Sequence, residues 1–212
     1  MGVTSNNCLM KRCTTDRFLG FALVVIIIVM GAATIVPHLA AQDSVAGLVA
    51  RTYVDSHGAK MPYRLFIPRP YDSRQSYPLI VFLHGGAGNG ADNLQQIIGG
   101  NTNGSQVWMR DDVQREYRAF VLAPQAPDDA TWGGPEAREL SPAARMMLEI
   151  VGSLRHEFNI DKSRLYLTGQ SLGGFGTWDV IIRRPDVFAA AVPLCGSGIV
   201  KVRRIRFTLR HP

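Results

Sequence analysis

The pentapeptide Gly169-Gln170-Ser171-Leu172-Gly173 carries the clearest chemical signal in the chain. Its serine lies where a β-prone run, residues 164–168, gives way to a helical one at residues 172–184. On a tight strand-to-helix turn a serine hydroxyl is held out from the backbone. Glycines on either side remove side chains that would collide with the neighbouring strand and helix. Gly174 and Gly176 extend that close packing. The spacing points to Ser171 as a nucleophile for acyl transfer. The plainer alternative, a glycine-rich turn that happens to carry a serine, is disfavoured by the strand-turn-helix context.

Acyl transfer also needs N–H donors aimed at the oxygen on which negative charge develops. The N–H of Leu172, one residue past the serine at a helix start, is one candidate. The loop His84-Gly85-Gly86-Ala87-Gly88, which follows an apolar strand, offers the other through Gly85 and Gly86. Alone, that loop would be only a turn; together the two motifs reinforce each other. His84 reads as a residue that structures the loop rather than as a base. Trp132 reads either as a pocket wall or as a packing anchor, and Cys195 as a small buried residue rather than a nucleophile.

The elements that must position these groups follow an α/β pattern. Residues 47–54 and 60–67 form a hairpin about Asp55-Ser56-His57-Gly58. Residues 79–83 are a continuous apolar run, as expected of a strand buried on both faces of a parallel sheet. A helical stretch over 105–117, a strand over 119–123 and a loop over 124–135 follow. Ser141-Pro142 then supplies an N-cap hydroxyl with proline at the first helical position. Met146, Met147, Ile150, Val151, Leu154 and Phe158 give that helix a core-facing stripe. Lys162 and Arg164 read as solvated charges at the entry to the strand at 164–168. With a further strand at 189–194, strand, helix and strand alternate as in βαβ units.

The 212 residues, 46% hydrophobic and 19% charged, suit one globular domain with an appendage. No repeat of solenoid or propeller length occurs. The net charge of +6 is concentrated at the ends. Lys201, Arg203, Arg204, Arg206 and Arg210 crowd the tail, and Lys11, Arg12 and Arg17 stand against Asp16 at the start. The body is close to neutral, which argues against nucleic acid as a partner. Cys8, Cys13 and Cys195 show no metal-ligand spacing, and nothing suggests a nucleotide or other cofactor. Residues 18–36 carry no charge and would span roughly 28 Å as a helix, close to the hydrocarbon core of a bilayer. They read as a signal peptide cleaved after the Leu39-Ala40-Ala41 region or as an uncleaved anchor, with cleavage preferred. Either way, the domain from about Gln42 is expected outside the cytoplasm, periplasmic, extracellular or membrane-anchored. The organisation reads as 1–41 leader or anchor, 42–199 domain and 200–212 basic tail.

The stretch from Gly169 to Trp178, with Arg184-Pro185-Asp186-Val187-Phe188-Ala189-Ala190-Ala191-Val192-Pro193-Leu194-Cys195-Gly196, resembles the α/β-hydrolase superfamily. The likeness is to its secreted predicted-peptidase and phospholipase/carboxylesterase-like branch, related to feruloyl and polyhydroxybutyrate esterases, and covers roughly residues 52–198. The resemblance implies an α/β-hydrolase fold and a serine hydrolase of carboxylic esters, such as acetyl or feruloyl groups on plant polysaccharide. In that superfamily the acid and the histidine follow the serine in chain order. After Ser171 the acids are Asp179 and Asp186, neither at the family's acid position, and the only later histidine is His211. The chain therefore reads as C-terminally truncated, lacking the last strands of the fold, with its serine present, its base missing and its activity impaired. The alternative is a non-catalytic remnant that binds an acyl or glycan group near Trp132, Trp178 and the 84–88 loop. The strand at 189–194 would then be an exposed edge inviting self-association.

Overall fold

The apolar run before His84 forms the middle of the sheet. A computed structural model describes residues 44–134 and 137–197. Among them seven strands form one sheet: β1 (Ser44–Val45), β2 (Leu48–Val54), β3 (Lys60–Phe66), β4 (Tyr77–Leu83), β5 (Phe120–Pro124), β6 (Ile160–Gln170) and β7 (Ala190–Leu194). Their spatial order is β1-β2-β3-β5-β4-β6-β7. The β1, β2, β3 and β5 neighbours pair antiparallel, whereas β5, β4, β6 and β7 run parallel. The expected hairpin is present, and its turn closes because Asp55 Oδ1 accepts the N–H groups of His57 and Ala59, both at 2.8 Å.

The helices are α1 (Thr102–Gln106), α2 (Asp111–Glu116), α3 (Pro142–Glu157) and α4 (Leu172–Arg183). Ser141 caps α3 as its sequence suggests: its Oγ accepts the Ala144 N–H at 3.1 Å, and Pro142 opens the first turn. Met147, Ile150, Val151 and Leu154 bury one stripe of α3 against Leu79, Val81, Leu83, Leu165 and Leu167 of the sheet, with Met146 and Phe158 at its margins. The alternating residues of β4 and β5 face the other way, where Phe82 and Ala123 pack with Leu48 and Ile97. This two-sided burial is why β4 is apolar throughout.

Three expectations need correction. The helix over 105–117 is broken into α1, a 3₁₀ turn at Val107–Met109 and α2, with Arg110 extended at φ −57°, ψ 141°. At the break the Trp108 carbonyl accepts from Gln114 Nε2 at 2.8 Å, so a side-chain amide supplies the partner that a continuous helix would draw from its backbone. Strand β6 begins at Ile160 rather than 164, because its pairing with β4 shifts between Tyr77 and Leu79 and accommodates the extra residues as an irregularity. Arg164 is tied there, donating to Asp161 Oδ2 and to the Ser76 carbonyl, each at 2.7 Å, while Lys162 is exposed as expected. Hydrogen bonds from Ser163 and then Arg164 hold the Asp161 carboxyl down to about 2. Cys195, expected to be buried, is exposed, at φ 55° in the turn that leaves β7.

The charge-free run at 18–36, the processing region near Ala41, the basic tail at 200–212 and His211 lie outside the described residues. Among the described residues no helix is long and apolar enough to cross a membrane. There β7 pairs with β6 alone, and Val192 and Leu194 stand exposed on it.

Candidate active site

Strand β6 delivers Ser171 to the start of α4, and the backbone there is forced into a sharp bend. Ser171 sits at φ 51°, ψ −113°. A non-glycine residue in this region costs about 1–3 kcal/mol and persists only where the surroundings impose it. Here the Ser171 N–H donates to the Leu194 carbonyl at 2.8 Å, and the Ser171 carbonyl accepts the Phe175 N–H at 3.1 Å. The bend is wedged between the ends of two neighbouring strands. A Cβ on Gly173 would run into the carbonyls of Leu83 and His84, and one on Gly174 would meet the Leu194 carbonyl and the Gly196 nitrogen. The side chains lacking at these glycines are thus what lets α4 start so close to the sheet. Ser171 itself is exposed, and among the described residues its Oγ has no hydrogen-bond partner.

The 84–88 loop comes alongside from β4: a Cβ on Gly85 would lie 3.6 Å from the Ser171 Cβ and from the Gln170 carbonyl. The structure separates the two glycines proposed as donors. The Gly85 N–H is already committed, donating to Asn101 Oδ1 at 2.8 Å. The exposed Gly86 has no partner for its N–H among the described residues. The Gly85 carbonyl is held at 2.7 Å by His84 Nδ1 and at 2.8 Å by the Gly88 N–H. Because a trans peptide directs its C=O and the following N–H oppositely, fixing that carbonyl turns the Gly86 N–H away from His84. Leu172, the first residue of α4, leaves its N–H unused in the same way. The first amides of a helix lack intrahelical acceptors and carry the positive end of its dipole.

His84 is fully buried, and both of its ring nitrogens are occupied. The Ala126 N–H donates to Nε2 at 3.0 Å, so the proton resides on Nδ1, which donates to Gly85. Burial lowers its pKa from 6.5 to about 4, against a smaller upward pull from the Gly85 bond. A neutral ring with no free lone pair braces the loop and cannot accept a proton from Ser171. Trp132 packs edge-on against this ring at 5.1 Å between centroids, and its Nε1 donates to the His84 carbonyl at 3.2 Å. Trp132 is fully buried, so of its two readings the packing anchor holds. Trp178 is half-buried on α4.

Among the described residues, neither Asp179 nor Asp186 completes a relay. Asp179 lies eight residues along α4, about 12 Å from Ser171 at 1.5 Å per residue. Its Oδ1 accepts from Arg183 Nε at 2.7 Å, and burial, the dominant influence, raises its carboxyl pKa. Arg183 in turn binds the carbonyls of Ala137 and Arg138, tying α4 to the loop before α3. Asp186 pairs with Arg184 on the surface, both of its oxygens 2.9 Å away. Of the other described histidines, His156 ends α3 at the far end of β6 from the bend. His57 is in the β2–β3 turn, and β3 lies three strands from β6, about 14 Å at the usual spacing.

Sequence reasoning missed the polar residues behind the loop. Asn89 Nδ2 donates to the carbonyls of Pro127 and Ala130 at 2.6 and 2.8 Å. Gln125 donates to Asp92 Oδ1 at 2.7 Å and to the Gly88 carbonyl at 3.2 Å, and accepts the Asn93 N–H at 2.7 Å. These residues lie in aperiodic loops, where no spacing pattern marks them; only the folded loop brings them together.

The sheet is mixed rather than mostly parallel, antiparallel from β1 to β5 and parallel from β5 to β7, and with a serine at a sharp strand-to-helix turn and a glycine loop beside it this is an α/β-hydrolase fold. The chain belongs to that superfamily. No family model matches it. The solved structure of a thermostable esterase superposes with a TM-score of 0.68 at 39% identity, over 72% of this chain and 42% of that one. A protein from Aspergillus terreus named "Probable feruloyl esterase C" is 28% identical over 137 residues, 65% of this chain and 47% of that protein. The "Poly(3-hydroxyalkanoate) depolymerase C" of Paucimonas lemoignei is 37% identical over 71 residues, 34% of this chain and 16% of that protein. The chain thus spans less than half the length of each of these three relatives.

Proposed function

We propose that this chain carries the nucleophile and oxyanion half of a serine carboxylic-ester hydrolase. The observation that supports it most is the strained, exposed Ser171 with two unused N–H groups, of Gly86 and Leu172, on the elements flanking it. In this reading Ser171 Oγ attacks the ester carbonyl carbon, and the displaced electron pair of the C=O bond goes to the carbonyl oxygen. The Gly86 and Leu172 N–H groups stabilise that oxyanion. Collapse of the tetrahedral intermediate expels the alcohol, and water then releases the acid from the acyl-serine. Each described histidine is either engaged or remote, so the proton leaving Ser171 passes to water, and water protonates the departing alkoxide. A serine hydroxyl without an adjacent base is a weak nucleophile, although oxyanion donors and binding sustain a residual rate. The expected activity is therefore slow.

The name feruloyl esterase among the relatives, together with the resemblance read in the sequence, makes feruloyl or acetyl esters on plant polysaccharide the substrate class to test first. The charge-free run 18–36 behind Lys11, Arg12 and Arg17 supports export of the domain. Hydrolysis of 4-nitrophenyl acetate and methyl ferulate by the full chain, against Ser171→Ala, tests the reading. Slow release that disappears in Ser171→Ala is expected. Release that persists in the variant overturns it. Binding of ferulate by both proteins with hydrolysis by neither would favour the non-catalytic alternative, which draws on the absence of a described base beside Ser171.

A further inference from the structure

We propose that Asn101 is a positioning residue that sets the oxyanion loop against the nucleophile bend. The inference rests on the serine-esterase reading and extends it to a residue that touches neither substrate nor Ser171.

Asn101 ends the 3₁₀ turn Gly99–Asn101 and precedes α1, and it is only 2% exposed. Both ends of its carboxamide are used. Oδ1 accepts from the Gly85 N–H at 2.8 Å and from Gln170 Nε2 at 3.0 Å, and Nδ2 donates to the Gln95 carbonyl at 3.1 Å. A reversed amide would set an NH2 group against two donors and an oxygen against a carbonyl, so one orientation alone satisfies the site. The Asn101 backbone is itself held, its N–H donating to the Ile98 carbonyl and its carbonyl accepting from Ser105 Oγ. Gln170 adds a second tie by donating to the Gly100 carbonyl at 2.6 Å.

The two donors that meet on Oδ1 come from different strands. Gly85 follows β4 and precedes Gly86, the residue with the unused N–H; Gln170 ends β6 and precedes Ser171. One buried oxygen atom thereby fixes the separation between the oxyanion loop and the bend. Its role differs from that of His84, which orients the next peptide through the Gly85 carbonyl. Donor placement matters because the Gly86 N–H has to come within hydrogen-bonding distance of an oxygen bonded to the carbon that Ser171 attacks. Misplacement of about 1 Å costs on the order of 100-fold in rate. Removing Asn101 also leaves the buried Gly85 N–H unpaired, and the loop can relieve that only by moving.

The test uses Asn101→Ala in the full chain, with two readouts. The first is amide hydrogen exchange at Gly85. We expect the variant to lose protection there by about tenfold or more, while Ala126, whose N–H binds His84, keeps its own. The second is steady-state hydrolysis of 4-nitrophenyl acetate, in which kcat should fall roughly 10- to 100-fold with KM little changed. A filler of space with no positioning role would lower stability without that split. Unchanged exchange at Gly85, or unchanged kcat, overturns the proposal. If Asn101→Ala does not fold, Gln170→Leu cuts the tie to the bend alone: kcat should fall while Gly85 stays protected, and an unchanged kcat overturns the proposal. A wild-type chain without Ser171-dependent turnover would overturn the esterase reading instead, and the Gly85 exchange contrast would still uphold or overturn the role of Asn101 in holding the loop.

Discussion

Ser171 holds its unfavourable backbone conformation because its neighbours leave no other path, and the glycine beside it is the most exposed to test. Gly173→Ala places a methyl against the backbone carbonyls of Leu83 and His84, which cannot rotate away as a side chain could. Overpacking in a core typically costs about 1–3 kcal/mol. We expect the upper end of that range as a lowered urea midpoint, together with loss of any Ser171 reactivity. His84 makes a separate prediction about pH. Its folded pKa of about 4 lies below the ordinary 6.5, so between those values the unfolded chain binds a proton that the folded chain refuses. Stability from this group is present above pH 6.5 and is lost as the pH falls towards 4, by roughly 3 kcal/mol at most. Denaturation at pH 7 and pH 4.5 should show that loss in the wild type. The His84→Gln variant should lack this component.

At the scale of elements, α3 is the helix whose construction was most legible. Its cap, its first-turn proline and its buried stripe were all readable from Ser141 onward, because N-caps and 3.6-residue periodicity are local properties. Ser141→Ala should therefore cost about 1 kcal/mol, measured as a shift in urea midpoint with unchanged slope. Leu154→Ala, which empties a fully packed position on the same helix, should cost about 2–5 kcal/mol. The broken helix between residues 102 and 116 was not legible, because the break depends on the Gln114 amide reaching the Trp108 and Ala119 carbonyls. The length of β6 escaped for a related reason. Asp161, Lys162 and Ser163 look like a solvated entry, yet pairing with β4 and the Arg164 ties draw them into the strand.

For the molecule as a whole, the sheet-centred α/β class and the serine bend could be read from the chain because glycine spacing and apolar runs encode them directly. The division of labour in the 84–88 loop could not. Gly85 and Gly86 are identical in sequence, and only the buried Asn101 shows that one amide is structural and the other unused. Cys195 misled because the apolar residues before it, Ala190 to Leu194, lie on a strand whose described outer edge is unpaired. If Ser171 is a reactive nucleophile served by the Gly86 and Leu172 amides, it is open to covalent capture. A fluorophosphonate probe reacts by Ser171 Oγ displacing fluoride at phosphorus, and intact mass reads the product. Slow labelling that approaches one probe per chain and vanishes in Ser171→Ala is expected. No labelling of a protein shown to be folded, or labelling that survives the Ser171→Ala change, would contradict it.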